Sequence, residues 1–156
     1  MTRLPGASRV RGALAGQRRA LAWLPLLPWL AACTTLPALD AALPPGVPRH
    51  VELVETPFFP QEDHQCGPAA LATVLVSSGV PTAPDDLVPE SYLPGREGSL
   101  QVELLAAARR RGRLPYELPP EPGALAAELA AGRPVLVLQN LGIDAYPRWH
   151  YAVLVG

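Results

Sequence analysis

Cysteine is nearly absent from this chain: 156 residues contain only Cys33 and Cys66. Two cysteines are too few for a disulfide scaffold. Acidic residues are missing altogether before Asp40, while Arg3, Arg9, Arg11, Arg18 and Arg19 all fall in that first segment. A long apolar run is lacking too. The stretch "ALAWLPLLPWLAAC" offers about a dozen apolar residues, too few for a hydrocarbon core of ~30 Å. With a net charge of -1 there is no basic excess, so nucleic acid is not expected as a partner. Internal repeats and nucleotide-binding loops are likewise missing.

What is present begins with a leader. Arginines followed by a short apolar stretch have the layout of an export signal, and this one ends in Leu30-Ala31-Ala32-Cys33. The tetrapeptide resembles a bacterial lipoprotein lipobox, in which the cysteine is lipidated and becomes the first mature residue. A plain secretory signal cleaved near Ala31-Ala32 is the alternative. Gln17 ahead of Arg18-Arg19 does not suit a twin-arginine signal. Thr34 stands where many inner-membrane lipoproteins carry an aspartate, so the resemblance implies an outer-membrane anchor facing the periplasm.

From Cys33 onward eight Arg face fourteen Asp plus Glu, a net -6. Anionic head groups would not attract such a chain, and its membrane attachment falls to the lipid. Residues 1–32 are therefore expected to be a signal peptide, residues 33–49 a Pro/Ala-rich tether, and residues 50–156 the folded domain.

Within that domain, "VELVE" (51–55) predicts a strand stopped by Pro57 and Pro60. A helix is expected over 66–78, with Pro68 in its first turn and Gly79 just past its end. It is apolar on nearly every side and hence central. Ser99 is expected to cap "LQVELLAAARRR", whose arginines suit a solvated C-terminal end. "RLPYEL" predicts a short edge strand, 123–132 a third helix, and 134–139 and 150–156 a pair of strands. This order points to an α+β fold.

Cys66 lies at the junction of a polar loop and the central helix, not inside the apolar run where an inert thiol would hide. A thiol is a poor nucleophile until ionised, and a helix N-terminus favours the thiolate. With Cys33 lipidated, Cys66 would be the one free thiol of an exported protein. His150, opening an apolar strand, is the candidate base. A packing role for Cys66 and a core or rim role for His150 are the plain alternatives. His50 and His64 read as solvated loop residues.

Taken together, "QEDHQCGPAALATVL", "PVLVLQN" and "HYAVLVG" resemble the bacteriocin-processing (double-glycine leader) peptidase-like family of papain-like cysteine peptidases, over roughly residues 53–156. The resemblance implies a papain-like α+β fold and thiol peptidase activity on a peptide or protein substrate, without metal or cofactor. It makes Cys66 the nucleophile, His150 the general base and Gln61 the oxyanion donor, with Gln65 a competitor for that last role. Leader cleavage itself is not expected, since those enzymes usually belong to cytoplasmic exporter domains. A papain-like acyltransferase or amidase and a silent binding module are the other readings. The chain stops inside an apolar strand, so a third Asp or Asn is expected beyond Gly156; Asn140 and Asp144 precede the histidine and are not nominated.

Overall fold

The computed structural model describes residues 43–61 and 64–156; Cys33, the leader and most of the tether lie outside them. The central helix α1 spans Cys66–Ser77. Pro68 costs it nothing, because an N–H so near the helix start has no intrahelical acceptor. Beyond the C-terminus Gly79 takes φ +84°, the left-handed conformation that glycine adopts most readily. Gly67, Pro68, Ala69, Ala70, Leu71, Ala72, Thr73 and Leu75 are all buried, so α1 is covered on most of its circumference. Thr73 stays satisfied there by donating its hydroxyl to the Ala69 carbonyl at 3.1 Å.

A helix not expected from the sequence follows: α2, Pro84–Ser91. Pro84 occupies a first-turn position, the carboxylate of Asp86 accepts the Ala83 N–H at 3.1 Å, and Asp85 and Asp86 suit the positive helix end. Leu87, fully buried, fastens α2 to the core around Leu71, Leu75 and Leu104.

A small antiparallel hairpin comes next, β1 (Tyr92–Leu93) with β2 (Gly98–Ser99), closed by a single 3-10 turn at Pro94–Arg96. Helix α3 covers Gln101–Arg110 and α4 covers Pro122–Ala130. The expected cap at Ser99 is not made. Leu100 holds the N-cap position, extended and without a side-chain hydrogen bond, because Ser99 is paired to Tyr92 in β2. Nor is the arginine run merely a solvated end: Arg110 and Arg111 both bind Glu90 of α2, at 2.7 and 2.9 Å. Together they hold the Glu90 carboxyl well below its usual value, at about 2.

Strands β3 (Val135–Asn140) and β4 (Trp149–Leu154) form a second antiparallel sheet, with Leu138 opposite Tyr151 and Gln139 opposite His150. Residues 51–55 are not a strand. A turn carrying Thr56 N–H to the Leu53 carbonyl (3.0 Å) interrupts them, and only Leu53 N–H reaches β4's continuation, at the Val155 carbonyl (2.8 Å). Residues 113–118 form no strand either. They run as an irregular strap, tied at Arg113 to Ser78 and at Tyr116 to Glu128 (3.1 Å). The architecture is thus α+β, with a buried cysteine-bearing helix packed on small antiparallel sheets.

Candidate functional site

Cys66 is the first residue of α1, preceded by Gln65 at the N-cap, which makes no side-chain capping bond. The first intrahelical bond runs from Ala69 N–H to the Gln65 carbonyl at 3.2 Å. The amides of Cys66 and Gly67 therefore point out of the helix end without intrahelical acceptors, and the helix dipole adds positive potential there. The thiol is half-buried and free. A Cβ at Gly67 would fall on the Ser99 side chain, 2.6 Å from its Cβ, so only glycine fits immediately after the cysteine while β2 lies this close. Ser99 Oγ is itself buried there with no hydrogen-bond partner.

Strand β4 runs along α1 and brings Tyr151 into the core beside the cysteine. Burial, and secondly the charge of a Cys66 thiolate, push the Tyr151 phenol above its usual value. Successive side chains of a strand alternate faces. Tyr151 shares the core-facing side of the sheet with Val153 and Leu136, while its cross-strand partner Leu138, on that same side, is exposed; half-buried His150 shares the other face with Gln139. Among the described residues no hydrogen bond joins Cys66 to His150.

Gln61 is exposed in the loop before α1, separated from it by Glu62 and Asp63, which lie outside the described residues. Gln65 adjoins the cysteine directly and is half-buried. His64 is exposed, with φ +65°, and His50 is exposed in the entry segment. Asn140 is engaged elsewhere: its side-chain oxygen accepts the N–H groups of Gly142 (2.9 Å) and Arg148 (2.8 Å) in the β3–β4 connection. Asp144 sits in that same connection. Tyr151 is the neighbour that sequence reasoning missed. The signal was its position immediately after His150 in an apolar strand, where one of two adjacent side chains must face the helix.

A cavity of about 830 Å³ opens along the C-terminal half of α1, walled by Leu71, Leu75, Leu104, Leu136, Tyr151 and the 113–118 strap; Tyr151 reaches it, but Cys66, His150 and Gln61 do not line it. Its size falls in the range of small-ligand and peptide side-chain pockets. Among the described residues no group of three His, Cys, Asp or Glu side chains is placed to hold a metal, and no helix is long and apolar enough to cross a membrane. No family model, no curated protein and no solved structure matches this chain.

Proposed function

We propose that this chain is an exported, lipid-anchored cysteine peptidase of papain-like fold, with Cys66 as nucleophile, His150 as general base and Gln61 as oxyanion donor. The observation that carries the reading is a half-exposed thiol at the uncapped N-terminus of a buried helix, with the His150-bearing strand packed along that helix. In the reaction His150 takes the thiol proton, Sγ forms a bond to the substrate carbonyl carbon, and the carbonyl oxygen becomes an oxyanion. Donors for it are the Cys66 N–H and the Gln61 amide, the latter type of group commonly worth ~3 kcal/mol. Collapse breaks the C–N bond as His150 returns the proton to the leaving amine. Water then hydrolyses the thioester. In this register the imidazole lies on the sheet face opposite Tyr151, so it must reorient to meet the thiol, and hydrogen bonds of this kind are often loose until substrate binds.

A specific observation favours a second reading, the silent binding module: the thiol's buried neighbour is Tyr151 and no bond to His150 is formed. Digestion of a peptide library, with mass-spectrometric reading of products, separates the two. Cleavage lost in Cys66→Ala supports the peptidase; no cleavage by the wild-type protein contradicts it, and transfer to an added amine in place of hydrolysis points to the acyltransferase. The anchor is tested separately. Metabolic labelling with a radioactive fatty acid should mark the wild-type protein and not Cys33→Ser, and a wild-type protein that takes up no label would remove the lipid from the account.

A further inference from the structure

Four large apolar side chains crowd the turn end of the β3–β4 hairpin, three in the connection and one opening β4. Leu141, Ile143, Tyr146 and Trp149 are 61%, 66%, 78% and 63% exposed. Away from this hairpin, nowhere else among the described residues do four such side chains fall within nine consecutive positions. Nor is the tip a slack loop. Asn140 accepts two backbone N–H groups across it, Leu141 N–H binds the Arg148 carbonyl at 2.8 Å, and Tyr146 N–H binds the Ile143 carbonyl at 2.9 Å. A Cβ at Gly142 would strike the Tyr146 carbonyl, so the tight turn requires glycine. The backbone thus holds these side chains out in water, and exposed apolar patches of this kind mark interaction surfaces.

Three features select a lipid surface as the occupant. Trp and Tyr beside Leu and Ile is the composition that settles at the membrane–water boundary. Between residues 141 and 149 the only charges are Asp144 and Arg148, so the tip is neutral in a chain that is otherwise acidic from Cys33 on. Ten residues, 33–42, separate Cys33 from the first described residue, and at no more than ~3.1 Å each their reach is limited to roughly 30 Å. On the lipid-anchor reading, the domain is thereby confined next to the bilayer. We propose that the β3–β4 tip docks the domain on a neutral lipid surface, with Ile143, Tyr146 and Trp149 at head-group depth, and so presents the His150 end of β4 to the membrane. Peptides held at that surface become the accessible substrates.

Trp23 and Trp29 precede Cys33, so Trp149 is the one tryptophan between Cys33 and Gly156 and reports directly on the tip. The test uses the full mature polypeptide, exported behind a plain secretory signal with Ser at position 33, so that lipidation plays no part in the result. It is mixed with phosphatidylcholine vesicles whose acyl chains are brominated. The expected result is a blue shift and quenching of Trp149, insensitive to salt and weaker on anionic vesicles. Ile143→Ser combined with Tyr146→Ser should lower partitioning roughly tenfold or more, with circular dichroism unchanged because both residues are exposed. Trp149 emission that ignores the vesicles and stays quenchable by aqueous iodide overturns the proposal. So does a shift that appears only on adding peptide, which would assign the tip to substrate.

Discussion

The two elements that carry the candidate pair are built in opposite ways. Helix α1 holds the half-buried Cys66 at the edge of a tightly covered core, where Gly67 admits no side chain and Leu71, Ala72 and Leu75 are enclosed. Strand β4 brings His150 from a hairpin whose tip stands in water, fixed by backbone hydrogen bonds and one asparagine side chain. The nucleophile's place is thus set by packing, and the base's place by strand register. Packing errors cost stability, whereas register and tip errors cost geometry and binding, so substitutions in the two regions should separate these effects.

Catalytic loss is the largest expected effect and should be equal in the two regions. Cys66→Ala and His150→Ala should each lower peptide turnover by roughly four orders of magnitude or more, and the double variant by little further, because such groups act as a unit. Additive losses in a double-mutant cycle would mean that helix and strand work separately. Stability should then divide the regions. Leu75→Ala, at a site 2% exposed, should cost about 2–5 kcal/mol in urea unfolding, while Leu141→Ala, 61% exposed, should stay within about 0.5 kcal/mol. Gly67→Ala should cost about 1–3 kcal/mol by forcing Ser99 away from the first turn. Equal costs for Leu75 and Leu141 would dissolve the contrast.

A small, pH-dependent effect concerns the α2–α3 clamp behind the core. Glu90 is held at about 2 by its arginine partners, against an ordinary 4.5. A depressed carboxyl stabilises the fold fully above its unfolded value, so this contribution is present above pH 4.5 and fades as pH falls toward 2. The pair is partly exposed, and Glu90→Gln should cost under about 1 kcal/mol near neutrality. Acid unfolding of the two proteins should converge below about pH 2; a difference that persists there would assign the effect to packing.

Much of the fold was legible because local signals agreed with burial. Pro68 and Gly79 bracket α1 within one residue of the expected span, β3 is displaced by one residue from its own, and β4 starts one residue earlier and ends two residues sooner than expected. Helix α2 was hidden by Pro81, Pro84 and Pro89, which read as loop; Pro84 in fact starts the helix where its missing N–H is harmless. "VELVE" has strand composition but only the single Leu53–Val155 backbone bond to a neighbouring strand, and "RLPYEL" lies as a strap lining the cavity. At the site, the residue types at Cys66, His150 and Gln61 could be read from sequence, but their mutual placement could not. "HYAVLV" is apolar on both alternations, so nothing local decides whether His150 or Tyr151 faces α1. That choice is made by the β3–β4 register, which pairs Gln139 with His150.

Whether His150 serves Cys66 despite that register is most directly tested by the rate at which iodoacetamide alkylates Cys66 at neutral pH, compared among wild type, His150→Ala and Tyr151→Phe. Mass spectrometry of the Cys66 peptide supplies the readout. The account predicts a rate that falls at least tenfold in His150→Ala and changes little in Tyr151→Phe. Identical rates in wild type and His150→Ala, or a change confined to Tyr151→Phe, would contradict it and leave the thiol as the neighbour of a buried tyrosine in a binding module.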